Sequence, residues 1–245
     1  MTWVKICGMT NLEDALVAVD AGADAVGFVF YEKSPRCVTV ETAREIVAKL
    51  PDGVEKIGVF VSGSEPHWDR AIDEAGLTGM QQYSLFEPDA PAGSANATGL
   101  AFFTNHLTSR FLPSLSIGDI FKSEGKIEDL ARDFERLRND GRHSLPEGMF
   151  DTFVLDSGSG RTPGGTGMTF DWARILPIAE GMRRGRVKMV VAGGLTSANV
   201  GTAIDILKPW GVDVVSGVEA RPGKKDPEKV RAFVRAVREM DCGAS

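Results

Sequence analysis

The feature that most constrains this chain is a repeated alternation of short apolar segments with longer amphipathic ones. Eight segments have the length and composition of buried β-strands. Helical patterns follow most of them through short connections, which is typical of a parallel sheet covered by helices. The predicted strands span 3–6, 25–30, 55–61, 79–85, 114–121, 152–155, 187–192 and 212–215. Eight such units favour a closed barrel over an open sheet. We therefore predict an α/β fold, a single (β/α)8 TIM barrel with eight parallel strands.

The length supports one domain. The chain has 245 residues, close to the roughly 250 that are typical of one such barrel. We therefore expect a single barrel domain over residues 1–245, with an atypical middle segment at about 86–150. Within that segment the pattern predicts a loop at 86–98 and a helix at 100–112, and more clearly an amphipathic helix at 126–138. The fourth predicted strand is unusually polar for a buried strand.

Composition and charge exclude several classes of function. The net charge is -6 with a pI near 5.2, and no run of Lys or Arg is present, so nucleic acid is not an expected partner. No apolar run reaches the ~20 residues of a membrane helix, and the N-terminus does not have the pattern expected of a signal peptide. The cysteines are Cys7, Cys37 and Cys242, too few and too scattered for a disulfide framework. We expect a cytoplasmic protein without membrane association.

Glycine-bearing loops follow the last three predicted strands. Glycine lets a backbone approach an anion closely and present its N–H groups, and barrels commonly bind phosphate after strands seven and eight. A single such loop is explained by turn geometry alone, but three neighbouring loops favour a phosphate site. The candidate phosphate-binding residues are Gly164, Gly165, Gly193, Gly194, Ser216 and Gly217.

Two side chains at strand ends are candidates for chemistry. Cys7 ends the first predicted strand and Asp156 ends the sixth, and catalytic groups of a barrel lie at the carboxyl ends of its strands. A lone buried cysteine is more often an inert small hydrophobe, and an aspartate after a strand is often an N-cap or a loop ion pair. Each residue therefore needs a partner before a catalytic role follows.

Two further charged residues have alternative readings. Arg36 follows Pro35 in the loop after the second strand, where it is either a surface residue or a clamp for a substrate carboxylate. Asp213 lies among valines in the eighth strand, and a buried carboxylate needs a partner. It is either a lumen-facing substrate contact or half of a structural ion pair. The histidines lie away from these turns, and no metal site is expected.

Several motifs in the correct order resemble those of the phosphoribosylanthranilate isomerase family, enzymes of tryptophan biosynthesis. They are Lys5–Ile6–Cys7–Gly8–Met9–Thr10, Gly27–Phe28–Val29–Phe30 with Ser34–Pro35–Arg36, Leu155–Asp156–Ser157, Gly164–Gly165–Thr166–Gly167, Ala192–Gly193–Gly194–Leu195 and Ser216–Gly217–Val218–Glu219. Each motif is moderately specific, and together they are highly specific.

The resemblance implies an activity and roles for the candidate residues. It implies the Amadori rearrangement of N-(5-phosphoribosyl)anthranilate to 1-(2-carboxyphenylamino)-1-deoxyribulose 5-phosphate, by a monomer or homodimer that uses no metal or cofactor. In that reaction Asp156 is the general acid that opens the ring, and Cys7 is the base that takes the C2 proton. Arg36 holds the anthranilate carboxylate, and Asp213 matches a further substrate contact.

The chain departs from the family in its middle. The family usually has Gln-Leu-His-Gly at the end of strand four, whereas this chain has Gln81–Gln82–Tyr83–Ser84, so that Tyr83 replaces the histidine. One alternative is another phosphosugar barrel enzyme, although no matching set of Lys and Glu at strand ends is present. The other alternative is a non-catalytic barrel that binds a phosphorylated metabolite, and it draws its support from Tyr83 and the unusual middle segment.

Overall fold

The structure is a computed structural model that describes residues 1–61, 68–83, 110–117, 129, 132, 151–158 and 171–243. Eight parallel strands, β1 to β8 in chain order, form a closed barrel in which each strand pairs with its sequence neighbours and β8 pairs with β1. They span Trp3–Cys7, Ala25–Val29, Glu55–Val61, Gly79–Tyr83, Arg110–Ser116, Thr152–Asp156, Lys188–Val191 and Gly211–Val214. The predicted fold class is therefore confirmed.

Helices cover the outside of the barrel. In the described ranges, α1 to α6 span Leu12–Asp20, Val40–Val47, Trp68–Ala75, Leu176–Arg184, Val200–Leu207 and Pro227–Gly243. Between β8 and α6 lie a short 3-10 turn, Ser216–Val218, and two short antiparallel strands, β9 (Glu219–Arg221) and β10 (Lys224–Lys225). Among these helices, none combines the length and apolar character that crossing a membrane requires.

The strands bury both of their faces because the sheet closes on itself. Outward residues such as Val4, Ile6 and Phe28 pack under the helices in the larger apolar core. Inward residues form a separate apolar cluster that includes Ile57, Val154 and, at the start of β1, Trp3. This inner cluster fills the floor of the barrel, as the interior of a (β/α)8 barrel requires.

Tryptophans complete this floor. Trp3 belongs to the inner cluster, and the ring of Trp210 stacks on it with centroids 5.2 Å apart. The guanidinium of Arg110 lies 5.1 Å from the Trp210 ring centroid, within the range of a cation–π contact. Above the floor the inward positions change from apolar to polar. Lys5, Gln81, Ser114 and Asp213 form this buried polar layer, which positions the candidate site.

One pair of predicted elements is wrong. The helix predicted at 100–112 and the strand predicted at 114–121 conflict with β5, which begins at Arg110 and ends at Ser116. Pro113 lies in the middle of this strand, where proline is rare, and it pairs in register with Gln82. The proline and the inward Ser114 obscure the strand pattern. The remainder of the predicted 100–109 segment, and nearly all of the predicted helix at 126–138, lie outside the described residues.

Candidate active site

An ion pair at the centre of the polar layer joins the first and last strands. Lys5 on β1 pairs in register with Asp213 on β8, and its ammonium donates to Asp213 Oδ2 at 2.7 Å. The same ammonium donates to Gln81 Oε1 on β4 at 2.7 Å. All three side chains are essentially inaccessible to solvent. Asp213 therefore lies in the lumen as one half of an ion pair, and its predicted contact with substrate stays a prediction.

Cys7 lies one inward position above Lys5, at the carboxyl end of β1. Its thiol is buried, and it packs with the Lys5 stem over Gly27, where an added Cβ would come within 2.5 Å of the sulfur. Gly27 therefore leaves the room that both side chains occupy. Burial raises the pKa of the Cys7 thiol, and this effect outweighs the opposing charges of Lys5 and Lys225. In the absence of substrate, the environment thus favours the thiol over the thiolate.

Asp156 ends β6 at the same rim of the barrel. Its Oδ1 accepts the Gly158 backbone N–H at 2.8 Å, and its Oδ2 accepts the Tyr83 hydroxyl at 2.6 Å. The carboxyl is 3% exposed, and burial raises its pKa even though both hydrogen bonds favour the charged form. A raised pKa is what a carboxylic acid needs if it is to donate a proton near neutral pH.

A pocket connects Asp156 to the predicted phosphate loops. Its lining includes Asp156, Asp213, Gly193, Gly194, Ser216 and Gly217. Four of the six predicted phosphate residues therefore lie together, whereas Gly164 and Gly165 are outside the described residues.

The loops after β7 and β8 require glycine at particular positions. Gly193 and Gly194 are consecutive residues with φ of 88° and 64°, a backbone conformation that glycine adopts at little cost. An added Cβ on Gly193 would collide with Ser157, and one on Gly217 would collide with the Leu195 carbonyl. Close backbone packing at the mouth of the pocket therefore depends on these glycines.

Arg36 is held on the rim by an acidic partner. Its Nε and Nη2 donate to the two carboxylate oxygens of Glu219, each at 2.8 Å. Glu219 Oε1 also accepts from buried Lys225 at 3.3 Å and from the Gly223 backbone at 3.2 Å. Burial alone would raise the pKa of Glu219, but the hydrogen bonds from Arg36 and the charge of Lys225 bring the pKa below its usual value. Arg36 is thus an oriented residue rather than a free surface side chain.

The sequence analysis assigned no role to several members of this site. Lys5, Glu219 and Lys225 all lie in or near the quoted motifs, but their partners are far away in the chain. The sequence did contain one signal, the spacing of residues along the strands. Lys5 and Cys7 are two residues apart, as are Gln81 and Tyr83, so the two side chains of each pair lie on the same face of their strand. Among the described residues, no group of three or more His, Cys, Asp or Glu side chains is arranged to hold a metal ion.

The sequence matches the family model described as N-(5'phosphoribosyl)anthranilate (PRA) isomerase over residues 4–82 and 134–236. The match leaves out residues 83–133, a range that begins at Tyr83. Curated relatives include the N-(5'-phosphoribosyl)anthranilate isomerase of Pelobacter propionicus, 40% identical over 98% of this chain and 97% of the relative. The Thermotoga maritima enzyme of that name is 38% identical over 96% of this chain and 98% of the relative.

Solved structures agree with the sequence comparisons. The crystal structure of phosphoribosyl anthranilate isomerase from Thermotoga maritima has a TM-score of 0.73 and 33% identity, covering 98% of this chain and 100% of that chain. A phosphoribosyl anthranilate isomerase in complex with reduced 1-(o-carboxyphenylamino)-1-deoxyribulose 5-phosphate has a TM-score of 0.72, again with 33% identity and 98% and 100% coverage. This chain belongs to the phosphoribosylanthranilate isomerase family.

Proposed function

We propose that this chain isomerises N-(5-phosphoribosyl)anthranilate to 1-(2-carboxyphenylamino)-1-deoxyribulose 5-phosphate, with Asp156 as the acid and Cys7 as the base. Family membership supports the reaction. The observation that carries the residue roles is that Cys7 and Asp156 end two parallel strands of one closed barrel. Both side chains therefore lie at one rim, next to loops suited to an anion.

The acid step opens the sugar ring. Protonated Asp156 donates to the ring oxygen, the bond between that oxygen and C1 breaks, and the nitrogen lone pair forms the C1 iminium. Burial raises the pKa of Asp156, which enlarges the protonated fraction. Each carboxyl oxygen keeps a second lone pair beyond the one used by Tyr83 or Gly158, so the proton can face the pocket.

The base step removes the proton from C2. The Cys7 thiolate takes this proton, the C2–H electrons form the C1=C2 bond, and the iminium nitrogen becomes neutral. The resulting enolamine tautomerises to the ketone. Lys5 and Lys225 both lower the pKa of Cys7 against the effect of burial, and the cationic iminium adds to them. We infer that the thiolate forms mainly when substrate is bound, because a desolvated anion needs that additional positive charge.

The remaining side chains provide binding. The backbone at Gly193, Gly194, Ser216 and Gly217 offers N–H groups to the substrate phosphate, and Gly164 and Gly165 are proposed to contribute to the same site. Arg36 uses Nε and Nη2 on Glu219, which leaves Nη1 for the anthranilate carboxylate. Asp213 Oδ1 is buried without a hydrogen-bond partner among the described residues, and we assign it to a substrate hydroxyl.

The test is the loss of phosphoribosylanthranilate fluorescence on turnover. Cys7→Ala and Asp156→Asn should each lower kcat by a factor on the order of 10² to 10⁴, as expected for a positioned acid or base. Cys242→Ala is the matched control, since that cysteine is exposed near the end of α6, and it should retain full activity. Full activity in well-folded Cys7→Ala or Asp156→Asn would contradict the assigned roles. A wild-type chain that binds substrate without turnover would favour a non-catalytic barrel.

We also propose the setting in which the enzyme works. The whole chain forms a single barrel domain that acts in the cytoplasm as a monomer or homodimer. Its partner is a small phosphorylated substrate rather than nucleic acid or a membrane. A relative from Thermotoga maritima is described as a dimeric enzyme from which monomers were generated, which supports both oligomeric states as candidates.

A further inference from the structure

Tyr83 connects the acid to the charged centre of the barrel. Its hydroxyl donates to Asp156 Oδ2 at 2.6 Å and accepts from Gln81 Nε2 at 3.3 Å. Gln81 in turn accepts from Lys5 at 2.7 Å. Lys5 also donates to Asp213, and its charge lowers the pKa of Cys7. One buried hydrogen-bonded chain therefore extends from the residues around the base to the acid, across β1, β4 and β6.

Lys5 determines the direction of each hydrogen bond in this series from Lys5 to Asp156. An ammonium can only donate, so Gln81 must turn its carbonyl oxygen toward Lys5. The Gln81 amide nitrogen then faces Tyr83, and it can only donate to the Tyr83 oxygen. The phenol hydrogen is thereby left for Asp156. Ser114 supports this arrangement, because its hydroxyl accepts from the same Gln81 nitrogen at 3.0 Å.

We propose that Tyr83 is a positioning residue for the general acid, and that the Lys5–Gln81–Tyr83 chain fixes the orientation of the Asp156 carboxyl relative to Cys7. The inference rests on the proposed role of Asp156. Tyr83 holds Oδ2 while the Gly158 N–H holds Oδ1, so the carboxyl group is restrained at both oxygens. Rotation of the carboxyl would break one of the two hydrogen bonds, and the lone pairs that face the pocket therefore keep one direction.

Tyr83 is suited to act as a permanent donor. Burial raises the pKa of Tyr83 well above its usual value, and the neighbouring Asp156 charge raises it further. The phenol therefore keeps its proton throughout the pH range in which the enzyme would work. A histidine at this position would titrate near neutral pH, whereas the phenol holds Asp156 in the same way on both sides of neutrality.

The positioning role and a purely electrostatic role predict opposite results for Tyr83→Phe. The Tyr83 hydrogen bond lowers the pKa of Asp156, so its removal raises the fraction of protonated acid and, by electrostatics alone, the rate. If Tyr83 positions the acid, the rate falls instead. We expect kcat to fall about tenfold to a hundredfold with KM changed less than threefold, because Tyr83 acts on Asp156 rather than on bound substrate.

The decisive experiment is a double-mutant comparison of Tyr83→Phe in the wild-type and Asp156→Asn backgrounds. The loss in kcat should be present in the first background and reduced to less than twofold in the second. In the wild-type background, the limb of the kcat/KM profile that reports the ionisation of Asp156 should also move to higher pH by on the order of half a unit to one unit, as the pKa of Asp156 rises. Thermal unfolding of each variant checks that phenylalanine fills the same space.

The outcomes separate the inference from the proposed function. An equal loss in both backgrounds would mean that Tyr83 supports the fold rather than the acid, and it would overturn the inference. An unchanged or increased kcat in Tyr83→Phe would overturn it as well. Full activity of Asp156→Asn alone would instead contradict the proposed acid, whatever Tyr83→Phe does.

Discussion

Replacement of Lys5 by methionine tests whether the central ion pair holds the barrel together. Methionine keeps the unbranched apolar stem but removes the ammonium, which is buried with a 1% exposed side chain. Asp213 would then lose the 2.7 Å donor to Oδ2, while its Oδ1 already has no partner among the described residues. The variant therefore leaves an uncompensated carboxylate in the lumen.

The expected cost follows from this geometry. Breaking a buried ion pair by removing one partner costs about 3–5 kcal/mol, and the Gln81 carbonyl also loses a charged donor at 2.7 Å. A loss of about 4 kcal/mol lowers the folding equilibrium constant roughly 10³-fold. The measurement is urea unfolding at pH 7, with tryptophan fluorescence as the probe of the transition.

The matched control is the double variant Lys5→Met with Asp213→Asn. Because both charges are then absent, we expect it to recover at least half of the lost free energy of unfolding. Each single variant should be less stable than the double variant. If Lys5→Met costs less than about 1 kcal/mol, or if the double variant is as unstable as Lys5→Met, the ion pair does not have the stabilising role that we assign to it.

Two further predictions concern the rim. Burial raises the pKa of Asp156, so the wild-type chain loses stability as pH rises from about 4 through the folded-state pKa. An asparagine side chain cannot ionise, so Asp156→Asn should have a higher free energy of unfolding than the wild-type chain at pH 7 but not below about pH 4. An equal difference between the two proteins at both pH values would contradict this. Arg36→Ala should raise KM about tenfold or more with a smaller change in kcat, and steady-state kinetics with an unchanged KM would exclude the carboxylate contact.

Much of the fold was predictable because closed parallel sheets leave a simple pattern. Strands buried on both faces read as apolar runs, and seven of the eight overlap their predicted positions closely. The fifth did not, because Pro113 and the lumen-facing Ser114 interrupt the run. The polar character of β4 was visible in the sequence, but its reason was not: Gln81 and Tyr83 belong to a network whose other members lie on different strands.

The candidate site was predictable only where position alone suggested chemistry. Cys7 and Asp156 end buried strands, and the barrel rule is enough to predict that they lie at one rim. The partner of Arg36 was not predictable, since Glu219 lies 183 residues away in the chain. Lys5 similarly meets Asp213 across 208 residues. Such pairs are set by barrel closure, which local patterns do not encode.

The apolar floor of the barrel has a consequence for the entry of substrate and the release of product. The stacked Trp3 and Trp210 lie at the amino-terminal end, and apolar side chains including Ile57 and Val154 fill the barrel interior, whereas Cys7 and Asp156 lie at the carboxyl ends of their strands. We therefore expect substrate to enter and product to leave at the carboxyl ends of the strands. A product molecule that has not left therefore blocks the next substrate, and inhibition by product should be competitive.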